Sequence, residues 1–498
     1  MLKKQILCAA ALVIFLLCSS SYLRAQPSVI YDNAKQKLIA FIGDYPSDLN
    51  WNVAQITLVG NRITRDRIVM REVPVKAGQQ IISGELLQML EASRLNLLNT
   101  ELFLEVIPVI DSLIENDLYL SFILKERWYI FPLPYFDLVD RNPNQWLFEQ
   151  NADLDRVNYG IKFAWDNVSG RRDEIRVHLI TGYGRQMSIQ YQNPYMGKKM
   201  EHGYFIGANY STVRQVSYAT DRHKQLFYPL TTRTDIDFVR SSFGVHAGYT
   251  YRKGVKYRHR FSIAYREERV ADSINKLILL NSGKGYRSFF PANRMSVSFA
   301  DLNYQYTYLN VNNNAYPWKG MAANLSLTHK GLGLSPIHLW EIGFKAGKYI
   351  PFGNKYSLAM VGLGVIKLPF DQPMYNLAGI GFGDMYMRGL EYYVINCVAG
   401  GIFKTSMRRE LFNINFPTFF KKSDKYRKIP FKVIAKIYGD LGAAHLPFDN
   451  AGFLNNQLLY CFGTGFDVLS YYDFTALVNF SVNQLGEKGL FLHIRKEF

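Results

Sequence analysis

Arg388 and Gly389 stand side by side in a long connection, Lys367 to Asn396, that also holds the Gly-rich run Gly379-Ile380-Gly381-Phe382-Gly383-Asp384. Three carboxylates follow on later segments: Glu410, Asp440 and Asp467. A guanidinium carried into a confined space needs partners, and its planar fork matches a carboxylate bidentately. The chemistry open to these residues is an ion-pair latch. Arg388 would draw the connection inward against one of the three acids, and Gly389 would permit the close backbone approach this requires. Spacing alone leaves the choice of acid open. A connection this long and rich in Gly is usually functional or disordered, and this one has enough aromatics to pack.

Catalytic readings find less support. There is no Gly-x-Ser-x-Gly elbow, and the nine His are scattered, so no Ser nucleophile has an evident base. No His/Cys cluster has metal-ligand spacing. Gly379-x-Gly381-x-Gly383 and Gly362-x-Gly364 lack the following helix that phosphate-loop binding needs. The chain reads as non-enzymatic, with no cofactor and no metal.

The elements that must position the latch are legible from Tyr129 to Phe498. Apolar and polar residues alternate there with a period of two, in strands of about ten residues that stop at turns rich in Gly, Asn, Asp, Pro or Lys. In Thr475 to Asn483, Ala476, Val478, Phe480 and Val482 fall on one face, and Thr475, Asn479, Ser481 and Asn483 on the other. Around Arg260, Ser262, Ala264 and Arg266 the intervening Phe261, Ile263 and Tyr265 would face lipid while charge faces a lumen. The pattern predicts about sixteen antiparallel strands closing into an all-β transmembrane barrel, an even number as single-chain bacterial barrels have. With 34 Tyr and 34 Phe, the chain has the residues for two interfacial aromatic girdles.

Ahead of the barrel, residues 51–128 read as a compact α/β unit of strand, helix, helix, strand, strand. Val53, Ile56 and Leu58 lead to a Gly60-Asn61 turn; Thr64 and Ser83 are candidate helix caps. Residues 26–50 read as a lead-in helix or linker. Residues 1–25 read as a signal peptide: Lys3 and Lys4, an apolar Leu7 to Leu17 too short to span, and a cleavage-like Leu23-Arg24-Ala25. Cys397 and Cys461 then remain, on separate strands, and no disulfide is expected. The formal charge of +17 is spread over loops and inward faces, such as Arg171-Arg172 and Lys421-Lys422. No nucleic-acid module accompanies it, so nucleic acid is not an expected partner.

This arrangement resembles the BamA-like outer-membrane assembly superfamily, which includes TamA and the two-partner secretion transporters. The α/β unit looks like a single POTRA (polypeptide-transport-associated) domain by Ile56-Thr57-Leu58-Val59-Gly60-Asn61, Lys76-Ala77-Gly78 and Leu102-Phe103. Arg388-Gly389 matches the family's loop motif. Arg408-Arg409-Glu410-Leu411, Tyr438-Gly439-Asp440-Leu441-Gly442 and Gly463-Thr464-Gly465-Phe466-Asp467 resemble its closing strands, ahead of a terminal Phe498. Two positions depart: Leu390 stands where an aromatic is usual, and Lys496 where the terminal signal is more hydrophobic. The resemblance implies a Gram-negative outer-membrane protein with its POTRA-like unit in the periplasm, inserting client β-proteins or secreting a dedicated partner. It implies as partners the lipopolysaccharide and phospholipid of the bilayer, unfolded barrel or secreted clients, and periplasmic chaperones or accessory lipoproteins. Pro132 and Pro134 on the first strand cannot donate ladder bonds, which points to a weak seam with the last strand and Phe498.

Overall fold

The computed structural model describes residues 29–138, 151–197, 199–229, 238–281, 284–333, 335–417, 428–448, 452–470 and 474–494. The signal segment, Phe498, Lys496 and Lys421-Lys422 lie outside the described residues.

Helix α1 (Val29–Gly43) precedes strand β1 (Asn50–Val59), α2 (Asp66–Glu72), β2 (Gln80–Ile82), α3 (Ser83–Leu98), β3 (Phe103–Ile114) and β4 (Asp117–Glu126). The four strands form one sheet in the order β2-β1-β4-β3, with β1 parallel to β4 and the other pairs antiparallel. Alternate residues Trp51 and Val53, and Leu118, Leu120, Phe122 and Leu124, turn inward against Leu86, Leu90 and Leu97 of α3. The lead-in helix joins this core through Leu38, with Phe41 and Ile42 packed beside it. Gly60 turns the chain at φ 100°, where an added Cβ would lie 2.0 Å from the Leu124 carbonyl oxygen. Short β2 was not anticipated. Neither expected cap forms: the positions before α2 and α3 are Arg65 and Ile82, without side-chain caps. The Thr64 hydroxyl instead meets the Tyr129 hydroxyl at 3.1 Å and accepts from Asn167 Nδ2 at 2.9 Å. Ser83 Oγ donates to the Pro46 carbonyl. A hydroxyl near a helix start goes to whichever acceptor tertiary packing brings closer.

Sixteen antiparallel strands follow in one sheet, each beside its sequence neighbour. The first five are β5 (Ile130–Leu138), β6 (Val157–Asp166), β7 (Glu174–Gly182), β8 (Arg185–Met196) and β9 (His202–Val213). A separate hairpin, β10 (Val216–Asp221) and β11 (Lys224–Tyr228), interrupts the series. The wall resumes with β12 (Arg240–Lys253), which pairs directly with β9. It continues through β13 (Tyr257–Val270), β14 (Ser296–Val311), β15 (Gly320–Lys330), β16 (Leu339–Phe352) and β17 (Tyr356–Leu368). The last five are β18 (Ala399–Pro417), β19 (Lys428–His445), β20 (Leu458–Leu469), β21 (Thr475–Asn483) and β22 (Lys488–Ile494). The expected sixteen-stranded barrel behind a small α/β unit is the architecture found. Phe261, Ile263 and Tyr265 are exposed on the outer face, whereas Arg266 pairs with Asp301 at 2.9 Å and Asn479 and Ser481 are fully buried. Oil outside and polar groups within is how a barrel meets a bilayer.

The α/β unit docks on the turns at one end of the barrel. Arg65 donates to the Ser169 and Gly170 carbonyls, and Arg71 to those of Met200 and Gly254. The centre of the dock is Glu72, whose carboxylate receives Arg252 Nη1 at 2.7 Å and Nη2 at 2.9 Å, Arg71 at 2.7 Å and the Tyr195 hydroxyl at 3.1 Å. At the far end β10–β11, helix α4 (Asp272–Leu280), Phe289, Phe290 and Tyr375 pack as an apolar dome.

Burial works against the Glu72 charge, but Arg252 and then Arg71 outweigh it and hold the carboxyl below its ordinary value. A depressed carboxyl contributes stability that is present above its unfolded pKa of about 4.3 and lost as pH falls through the folded value. Glu72→Ala strands Arg252 in a buried site, which costs about 3–5 kcal/mol. The dock of that variant is expected to open at neutral pH, and that of the native chain only on acidification below the ordinary carboxylate range. Tryptic cleavage after Arg127, followed against pH, reads both.

Candidate functional site

The connection between β17 and β18 turns back into the barrel rather than away from it. Ile380, Met387, Leu390, Ile395 and Cys397 of this loop pack with Val361, Leu363, Ile402, Leu459 and Cys461 of the wall. Isolated bridges Ile380–Ile395 and Phe382–Met385 give the loop its shape. Its apolar residues carry it inward, and one charged side chain fixes its depth.

Arg388 is 5% exposed and Asp440, on β19, 1%. Arg388 Nε lies 2.9 Å from Asp440 Oδ2 and 3.1 Å from Oδ1, and Nη2 also bonds Oδ1. The Arg388 backbone N–H adds a third link to the same carboxylate at 3.2 Å. The remaining donors are satisfied by Ser406 Oγ at 2.9 Å and the Thr405 carbonyl at 3.3 Å, and the guanidinium lies 3.9 Å from the Tyr438 ring centre. Gly389 has φ 83°, and a Cβ there would sit 3.1 Å from Ser481 Cβ and 3.2 Å from Cys461 Cβ. Its carbonyl accepts from Asn483 Nδ2 at 2.8 Å.

The other two acids weighed for Arg388 are occupied elsewhere. Asp467 takes Lys436 and the Tyr316 hydroxyl, the latter at 2.7 Å; Glu410 takes Lys432. Strand register is the reason. Asp440 lies opposite Lys404 and Cys461, whereas Glu410 and Asp467 are each six positions further along those strands (404 to 410, 461 to 467). At ~3.3 Å per residue this separates them by roughly 20 Å from the Asp440 level.

Beyond the motif, the loop holds the last strand. Leu390 is buried in the loop core, and the aromatics after it reach β22 and its turn. Tyr392 packs on Phe491 at 5.3 Å between ring centres, Tyr393 donates to Glu487 at 2.7 Å, and Glu391 lies 3.3 Å from His493. Sequence reasoning missed a second insert. The turn between β14 and β15, residues 312–319, enters the lumen from the α/β end. Tyr316 reaches Asp467, the Pro317 carbonyl accepts from Arg408 at 3.0 Å, and the Trp318 carbonyl accepts from Ser357 at 2.8 Å. Asn314 and Val311 also touch Asn99 of the α/β unit. Its only advance signal was the Tyr-Pro-Trp run at what reads as an ordinary turn.

At the seam, β5 pairs with β6 without interruption from Ile130 to Leu138, and β22 pairs with β21. Among the described residues no ladder joins β5 to β22. Pro132 and Pro134, two residues apart, lack their N–H groups on one edge of β5. Because the ladder to β6 is intact, that edge is the one turned away from β6, where Pro is tolerated.

No family model and no curated protein sequence matches the chain. Solved structures do. CdiB from Escherichia coli aligns over 89% of this chain and 75% of its own at 11% identity, with a TM-score of 0.50. This chain has the CdiB fold. BamA from Haemophilus ducreyi lacking POTRA domains 1–3 aligns over 90% of this chain and 83% of its own at 15% identity and a TM-score of 0.47. CdiB from Acinetobacter baumannii aligns over 89% and 73% at 10% identity and 0.45.

Removing either member of the buried pair leaves the other charge without a counterion. Arg388→Ala and Asp440→Ala are each expected to cost about 3–5 kcal/mol, and the double variant less than their sum. Unfolding midpoints in detergent test this. Hydrogen exchange across residues 385–393 should rise in both single variants and stay unchanged in Glu410→Gln.

Proposed function

We propose that this protein is a member of the BamA-like superfamily that inserts client β-barrels into the outer membrane of a Gram-negative bacterium. The observation that carries the reading is the seam: a transmembrane wall of sixteen strands whose first and last members share no ladder among the described residues. Backbone N–H and C=O groups facing lipid without partners cost several kcal/mol each. An incoming client strand satisfies them, so client folding supplies the driving force and no nucleotide is needed. On this reading the α/β unit is a POTRA domain in the periplasm, and strand β3, at one margin of its sheet, is an edge for capturing extended clients. The loop latch keeps β22 in place while the seam next to it exchanges partners.

Secretion of a dedicated partner through the lumen is the competing use of this fold. What supports insertion over this use is the occupation of the lumen. The Arg388 loop enters from one end and the Tyr316 turn from the other, with a gap of about 60 Å3 lined by Lys436, Asp467 and Arg388 among others. A chain passing through would have to displace both inserts and strip two buried ion pairs.

Disulfide closure of the seam tests the proposal. Tyr135→Cys paired in turn with Leu490→Cys, Phe491→Cys or Leu492→Cys should give one combination that crosslinks, with the buried thiols Cys397 and Cys461 left in place. Client insertion into liposomes should stop on oxidation and return on reduction; full insertion by the oxidised protein would sink the seam mechanism. Depletion followed by outer-membrane proteomics separates the two uses: loss of several barrels fits insertion, and loss of one secreted protein fits secretion.

A further inference from the structure

Beneath the docked α/β unit, a cavity of about 260 Å3 opens on the lumen, lined by Arg172, Arg252, Arg258 and Arg260 among others. With Arg176, five guanidiniums line it against three carboxylates, Glu101, Asp166 and Glu174, and most of the five have a partner. Arg252 is neutralised by Glu72, Arg172 donates to the Tyr195 hydroxyl at 3.1 Å, and the neighbouring Arg176 has Asp166 and Glu174. Arg260 donates to Gln192 at 3.2 Å and stacks 3.4 Å above the Phe205 ring centre, without a carboxylate at ion-pair distance among the described residues.

Arg258 is the exception. Its Nε is buried, and among the described residues it makes no hydrogen bond or ion pair. On β12 its direct cross-strand neighbour is Arg252, a like charge, and on β14 it is Thr307. Arg260 has Gln305 opposite. Like charges facing each other across a ladder destabilise a sheet, and a buried cation without a partner is costly. Two guanidiniums without an ion pair among the described residues, two positions apart and flanked by a hydroxyl and an amide, make a donor-rich cradle in a cavity whose lining guanidiniums outnumber its carboxylates.

We propose that this cavity binds a phosphate group. Guanidiniums pair bidentately with phosphate and carboxylate alike, but a phosphate brings more negative charge than a carboxylate to a cavity where five guanidiniums face three carboxylates, and its further oxygens can also take the neutral donors of Thr307 and Gln305. Size points the same way. An ordered water takes roughly 30 Å3, so the cavity holds on the order of nine, enough for a phosphate with a small substituent and too little for a passing peptide strand. The source is free phosphate or the phosphate of a lipid headgroup. The site stands independently of client insertion and lies on strands far from the latch.

The test uses the full chain in non-ionic detergent. Unfolding midpoints are measured in inorganic phosphate, in dihexanoyl phosphatidic acid and in sodium chloride of equal ionic strength, and affinities by calorimetry. Phosphate is expected to raise the midpoint where chloride does not. Arg258→Gln and Arg260→Gln should each weaken binding roughly tenfold or more, and Arg269→Gln, at the dome end, should leave it unchanged. Tighter binding of phosphatidic acid identifies a lipid headgroup, and equal or weaker binding identifies the free ion. The proposal falls if phosphate stabilises the native chain no more than chloride, or if both Gln variants bind as the native chain does. It falls equally if a glutamate-rich peptide binds and phosphate does not. Should Arg258→Gln fail to fold, Arg260→Gln and the native chain still decide.

Discussion

One buried ion pair sets the depth of the loop folded into the barrel. Taking a guanidinium and a carboxylate out of water costs several kcal/mol per ion, and their attraction repays this only with good geometry and full hydrogen bonding. Arg388 and Asp440 meet both conditions, because Ser406, the Thr405 carbonyl and the Tyr438 ring occupy the donors and the face that the carboxylate leaves open. A solvated pair on the barrel rim would be worth little and would fix nothing. The burial that makes this pair expensive also makes it specific: the loop has one position in which the charge is answered, and Gly389 is the residue small enough to reach it.

From that pair the constraint passes to the wall. Leu390 enters the apolar cluster, and Glu391, Tyr392 and Tyr393 then contact His493, Phe491 and Glu487. The last strand, bonded to only one neighbour among the described residues, thus gains a second support from inside the lumen. Three strands along the wall, β19 bears both inserts, carrying Asp440 for the loop and Lys436, which pairs with Asp467 and so with Tyr316. The turn holding Tyr316 also touches the α/β unit through Asn99. Both ends of the lumen therefore lean on one strand.

Much of this was legible in the chain, and what was not has physical causes. Alternation with a period of two reports which face of a strand meets lipid, so all sixteen wall strands could be read. It says nothing about segments packed on one another above the barrel, so β10–β11 and α4 went unseen; their apolar residues bury against the dome rather than against a bilayer. Arg388 could be singled out because a lone cation in a Gly-rich loop demands a partner. Its acid could not be chosen, because register decides it and register is a property of the assembled sheet. The dock was equally hidden: Glu72 and Arg252 are 180 residues apart, and a Glu ending a short helix looks like any solvated one.

The seam follows from what a bilayer forbids. A soluble sheet can leave an edge to water, whereas a spanning sheet cannot leave one to hydrocarbon without cost. Pro132 and Pro134 lower that cost on β5, because a residue with no N–H has no donor to leave unsatisfied. They also prevent the edge from closing as a full ladder, since those two positions can only accept. The loop contacts to Phe491, Glu487 and His493 support β22 from within, where among the described residues it has a ladder to β21 alone.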